Sequence, residues 1–172
     1  TMIQLAYEFA IKAHSSQKRK NGEPYIQHCL HTAFVLTQIK ADLETVVAGL
    51  LHDIPEDTEY PLAEIEKNFG KEVATLVEGI TKLSKIKYRG IERYRESLRK
   101  MFLAMAKDLR VILIKFADRL HNLRTLDSLP LEKRQRIARE TLEIHAPIAG
   151  LLGIYRLKWQ MEDICFKHLY PE

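Results

Sequence analysis

A chain of 172 residues with 46% apolar residues can bury a substantial core and is read as one domain, residues 1–172. Charges interrupt its apolar stretches throughout, so none reaches the roughly 20 residues that cross a bilayer, and the residues after Thr1-Met2 are amphipathic where a secretory leader is apolar. The net charge of +4 is modest and most basic between Lys82 and Lys100, which favours an anionic partner; without a recognition helix, zinc finger or aromatic RNA-binding pattern, a small polyphosphate fits better than nucleic acid.

Spacings of three and four between apolar residues predict an all-α fold. A first helix is expected over residues 3–14, with Leu5, Ala6, Phe9, Ala10 and Ala13 inward. The polar SSQKRKNGEPY, with Asn-Gly and a proline, reads as a loop that delivers Arg19, Lys20 and Tyr25 to the next element. His28 falls in the first turns of a second helix that runs to about residue 39. Asp42 is placed to cap a third helix through Leu51, Pro61 stands near the start of a helix over residues 64–69, and Gly70 ends it. Residues 71–80 form another amphipathic helix, and TKLSKIKYRG reads as a charged connection broken at Gly90. Helices follow over residues 91–106 and 108–126, then 131–144 after Pro130, and 152–169. VILIKF is apolar enough for a strand, but its length and flanks favour a buried helix. Tyr7, Phe9, Phe102 and Trp159 lie on apolar stripes and are expected in the core.

Three clusters carry chemistry: His28, then His52-Asp53 with Glu56-Asp57 in LLHDIPEDT, then Asp118 in KFADRLHN. Two imidazoles and two carboxylates make a mixed nitrogen and oxygen set suited to a divalent first-row metal, and two further carboxylates can manage a water. If residues 50–58 are helical, Glu56 stands one turn from His52 and Asp57 one turn from Asp53. Asn122 and Thr125 follow Asp118 by four and seven residues, on one face. Cys29, beside His28, is read as a buried side chain, His31 as a supporting or surface residue, His121 as a packing or supporting residue, and His14, His145 and His168 as lying outside any constellation. Cys29 and Cys165 suggest no disulfide framework, and the default location is the cytoplasm.

QKRKNGEPYIQH, LLHDIPEDT, VEGITKL, LRKMFLAMAKDLRVILIKFADRLHNLRTL, RIARETLEIHAPIAGLLGI and KWQMEDICFKHLYPE occur in that order and cover almost the whole chain. This set resembles the hydrolase domain of the RelA/SpoT homologues, HD-superfamily enzymes that degrade the guanine alarmones ppGpp and pppGpp. The resemblance implies an HD-type helical bundle holding Mn²⁺ through His28, His52, Asp53 and Asp118, with Glu56 and Asp57 as the hydrolytic acidic pair. It further implies Arg19 against the guanine, Lys20 near the phosphates, and Asn122 and Thr125 near the nucleoside. The implied reaction removes the 3′-pyrophosphate as pyrophosphate and leaves GDP or GTP. The implied partners are the alarmone and an adjacent synthetase domain in a longer protein. Departures from the family pattern are Cys29 in place of a proline, Pro55 between HD and ED, and Gly150-Leu151 in place of a polar and basic pair. Pro55 keeps a second reading open, a weakly active or non-catalytic module that binds alarmone or a neighbouring domain. A third keeps the chemistry on another 3′-phosphorylated nucleotide.

Overall fold

Side-chain caps open three of the helices described, at Thr1, Asp42 and Asp108. The structure, a computed structural model, describes residues 1–84 and 91–171. Helix α1 spans Met2–Ala13 and α2 Ile26–Gln38, α3 spans Leu43–Leu51, and the single turn α4 spans Ile54–Asp57. Then come α5 (Leu62–Phe69), α6 (Lys71–Ser84), α7 (Ile91–Lys107) and α8 (Leu109–Arg124). After a 3₁₀ turn at Leu126–Ser128, α9 (Leu131–Glu140) runs through a π-helical turn, Thr141–His145, into α10 (Ala146–Leu151), and α11 (Tyr155–Leu169) follows. Among the described residues there is no β-strand, only an isolated bridge between Lys18 and Pro24.

The expected starts are met by the expected chemistry. The Asp42 side chain accepts the Thr45 N–H at 2.8 Å and opens α3, and Asp108 does the same for α8 through the Arg110 N–H at 2.9 Å. Gly70, at φ 92°, closes α5 in a conformation that L side chains rarely adopt. Three boundaries differ from the sequence reading. Helix α6 continues to Ser84, so only residues 85–90 of TKLSKIKYRG remain as connection, and these lie outside the described residues. The helix expected over 131–144 widens into the π turn, where the Ala146 N–H bonds to the Thr141 carbonyl. Residues 146–151 continue beyond the π turn as α10, with Pro147 just past the widened turn.

Helix α3 is apolar all round, and every residue from Thr45 to Leu51 is buried. It packs against α1, α2, α6 and α8, while α8 buries Val111, Ile112, Ile114, Phe116, Ala117, Leu120 and Leu123 in the same core. VILIKF is thus the buried helix expected. Leu5, Phe102 and Trp159 are exposed instead of buried. On α11 the inward stripe is Leu157, Met161 and Cys165, two residues out of phase with Trp159.

Helices α2 and α3 meet at Gly49, where an added Cβ would stand 2.5 Å from Leu36 Cδ1. Leu36 is fully buried and has little room to move aside. Overpacking of this kind costs about 1–3 kcal/mol, against a helix-propensity gain of about 1 kcal/mol for replacing glycine by alanine. Gly49→Ala is expected to lower the urea midpoint without changing its slope, and an unchanged or higher midpoint would contradict the close approach.

Candidate active site

The polar loop before α2 folds back on itself. The Arg19 N–H bonds to the Glu23 carbonyl at 2.9 Å and the Gly22 N–H to the Arg19 carbonyl at 2.9 Å, with Gly22 at φ 88°. This three-residue hairpin loop with a left-handed glycine is a common way to reverse a chain. It delivers Arg19 and Tyr25 inward, and Tyr25 precedes the first turn of α2, which carries His28. From the other side, α3 ends at Leu51. His52 and Asp53 bridge to α4, where Pro55 occupies the first turn at little cost. The proline therefore leaves both halves of LLHDIPEDT helical. Asp118 lies on α8, which packs against both α2 and α3.

These three helices bring the expected ligands together. The Nε2 of His28 is 3.1 Å from Asp118 Oδ1 and 3.4 Å from Asp53 Oδ2. The Nε2 of His52 is 3.0 Å from Asp53 Oδ2 and 3.8 Å from Asp118 Oδ1. Donor atoms of His28, His52 and Asp118 all fall within 4.8 Å of one another, and all three residues are buried. The His52 Nδ1 faces the Gly49 carbonyl at 2.8 Å. A carbonyl only accepts, so Nδ1 carries the proton and neutral His52 turns a bare lone pair toward carboxylate oxygens. Its Nε2 has no hydrogen-bond partner. Acceptor facing acceptor in a dry pocket calls for a cation between them, either a proton or a metal ion, and the donor set fits a divalent metal.

The electrostatics agree. Burial opposes charge on His52, but Asp53 and Asp118 outweigh it and raise the pKa well above 6.5. Burial would raise Asp53 and Asp118, yet His52 and His28 beside the first, and Lys115 with both imidazoles beside the second, hold both well below the usual carboxylate range. Tyr25 bridges the acidic groups, its hydroxyl lying 2.8 Å from Asp53 Oδ2 and 3.0 Å from Asp57 Oδ2. The Asp57 carbonyl accepts from the Gln17 amide. Glu56 is exposed and lines a separate 680 Å³ hollow with Pro55, Leu62, Glu78, Thr81 and Lys82.

A 470 Å³ cleft opens beside the cluster, lined by Lys18, Arg19, Lys20, Lys115, Arg119, Lys133 and Arg136 together with Tyr25, Asn122 and Thr125. Arg19 bonds to Asn122 Oδ1 at 2.8 Å and Thr125 Oγ1 at 3.1 Å, and Asn122 Nδ2 donates to Asp118 Oδ1 at 2.8 Å. So Arg19, Lys20, Asn122 and Thr125, separated in sequence, share one wall. Sequence reading missed Lys115, which reaches Asp118 Oδ2 at 3.0 Å, and Arg119, which pairs with Glu140 at 2.8 Å. Both were detectable, because Lys115, Asp118, Arg119 and Asn122 are spaced three, four and seven along one helical face. Lys133 and Arg136 on α9 gave no such signal. None of the described residues of the basic run from Lys82 to Lys100 lines the cleft, and part of that run lies outside the described residues. Cys29 and Cys165 are buried free thiols, and burial raises the pKa of each.

The HD domain family model matches residues 6–155. A Synechocystis protein named probable guanosine-3′,5′-bis(diphosphate) 3′-pyrophosphohydrolase is 52% identical over 172 residues, covering 99% of this chain and 23% of that protein. A Streptomyces coelicolor protein named GTP pyrophosphokinase is 51% identical over 99% of this chain and 20% of its own length. The chain thus spans about a quarter or less of these curated relatives. A solved structure, described as a metazoan ortholog of SpoT that hydrolyzes ppGpp and plays a role in starvation responses, superimposes with TM-score 0.76 and 26% identity, covering 97% of this chain and 94% of that one. With the buried histidine and aspartate cluster at the heart of the matched region, the chain belongs to the HD domains of the RelA/SpoT (p)ppGpp synthetase/hydrolase family.

Proposed function

We propose that the whole chain, residues 1–172, is a metal-dependent hydrolase domain that removes the 3′-pyrophosphate of ppGpp or pppGpp, releasing pyrophosphate and leaving GDP or GTP. One observation carries this reading: a cluster of two imidazoles and two carboxylates, with His28, His52 and Asp118 buried and Asp53 partly so, shares Lys115 and Asn122 with a cleft lined, among the described residues, by seven cationic side chains. Relatives of this chain bear that activity's name, among them a protein 52% identical.

His28, His52, Asp53 and Asp118 would hold the ion, with Mn²⁺ the assignment made here. Bound there, the metal supplies charge on a phosphoryl oxygen and a more acidic water. Arg19, already hydrogen-bonded to Asn122 and Thr125, presents a planar guanidinium for stacking on guanine, which lysine cannot do equally well. Lys20, Lys115, Lys133 and Arg136 neutralise phosphates as these enter. In the reaction, the oxygen of water bonds to the phosphorus next to the ribose, the bond from that phosphorus to O3′ breaks, and O3′ takes up a proton. Glu56, which lines the neighbouring hollow, is assigned by its place in the family's acidic pair to orient and deprotonate the water, and Asp57, tied to Tyr25 and Gln17, would hold the network that returns the proton. The adjacent synthetase domain of longer relatives is the expected partner, and two buried free thiols suit the cytoplasm.

A second reading rests on a relative named for the synthetic reaction, at 51% identity. In such a protein this domain would bind alarmone without turning it over.

The test is incubation of the protein with ppGpp, with and without Mn²⁺, resolving nucleotides and pyrophosphate by ion exchange. GDP and pyrophosphate formed only with metal is the expected result, whereas tight ppGpp binding without product would favour the binding module. Glu56→Gln should retain metal and ppGpp while losing turnover by about 10²–10⁴-fold; unchanged turnover would remove Glu56 from the chemistry. A pH effect follows as well. A folded pKa of His52 above 6.5 contributes stability that is present below about pH 6.5 and is lost as pH rises through the folded value. His121 and His145 are shifted downward and are largely neutral in both states above about pH 7.5, while Cys29 and Tyr25, whose pKa values folding raises, ionise first in the unfolded chain, near their ordinary values of 9 and 10. Between about pH 7.5 and 8.5, metal-free protein should therefore lose stability with rising pH, and saturating Mn²⁺ should abolish that loss as the metal takes the proton's place. Denaturant titrations with the same slope in both conditions would contradict this.

A further inference from the structure

The two histidines of the cluster are supported differently, and the difference points to a further residue. His52 faces a backbone carbonyl, which can only accept, so its proton is fixed on Nδ1 and its Nε2 is free to bind a metal. His28 faces another imidazole: its Nδ1 lies 2.7 Å from the Nδ1 of His121, and both rings are buried. That contact works in either of two ways. If His28 donates, its Nε2 is bare toward Asp118 and Asp53. If His121 donates, a neutral His28 carries its proton on Nε2, at the atom a metal must occupy.

We propose that His121 is a positioning residue that selects the metal-binding tautomer of His28 by accepting its Nδ1 proton. Neutral His121 then keeps its own proton on Nε2. Its ring plane is fixed from outside by His31, stacked at a centroid distance of 4.6 Å and 17°. His28 is held in turn from the backbone side, where its carbonyl accepts the Thr32 hydroxyl at 3.0 Å. Second partners of metal-bound histidines are more often carboxylates or carbonyls, which leave no such choice of tautomer. An imidazole acceptor makes the site depend on a single proton position. This inference rests on the metal-site reading above.

The test combines metal titration with nitrogen NMR of the protein loaded with diamagnetic Zn²⁺ near pH 8. In the wild type, the His28 proton should lie on Nδ1, with a nitrogen–nitrogen coupling across the hydrogen bond to His121 Nδ1. His121→Leu removes the acceptor and should weaken Mn²⁺ binding by about 10–100-fold, and His121→Asn, which places an amide oxygen near the former Nδ1, should restore most of it. A loaded wild type without that coupling, its His121 protonated on Nδ1, would overturn the proposal, whether or not the leucine variant folds, and so would a folded His121→Leu variant that binds Mn²⁺ as the wild type does. Failure of the wild type to bind either ion would instead overturn the metal-site reading.

Discussion

Two carboxylates and two imidazoles meet where α2, α3 and α8 converge, three of them buried and Asp53 partly so, and their neighbours keep that group tolerable. An isolated buried carboxylate would take up a proton and lose its use as a ligand. Here Lys115 stands 3.0 Å from Asp118, Tyr25 donates toward Asp53, and Asn122 donates to the other oxygen of Asp118. Each carboxylate is thus held anionic in a place where water could not do so. The helices that carry these groups owe their placement to ordinary packing: α3 is apolar on every side, and Gly49 lets it approach α2 closely enough for His52 and His28 to face one pocket.

Charge sorts two of the hollows near the site. The larger one carries Glu56 and Glu78 against a single cation, Lys82, among its described lining residues. The smaller one gathers seven cationic groups beside Asp118. A polyanion would be drawn to the second by long-range attraction before any specific contact forms.

Much of this was legible in the sequence. Asp42, Gly70, Pro61 and Pro130 mark helix ends by local chemistry, and the structure uses them so. The histidines and acids stood out because such residues are rare inside apolar surroundings. What sequence could not supply was tertiary. Lys133 and Arg136 look like any solvated pair until α9 is placed beside the hairpin loop that holds Arg19. Trp159 and Phe102 were assigned to the core because a helix bearing apolar residues on more than one side offers two candidate stripes, and only packing chooses between them. Tyr25 reads as a loop aromatic, and its bridge between Asp53 and Asp57 spans 28 and 32 residues of chain.

The ligand-bearing helices are locked by hydrophobic contacts that no ion takes part in, and Lys115 lies within reach of Asp118 from the same helix. This sets the site apart from small zinc modules, whose folding free energy is the binding free energy of the metal. A centre held in such a scaffold could lose its ion to a chelator without unraveling the chain, and resupply could refill it, so occupancy would follow the free concentration of the metal in its surroundings. Such a domain would be a socket with exchangeable contents, answerable to metal supply.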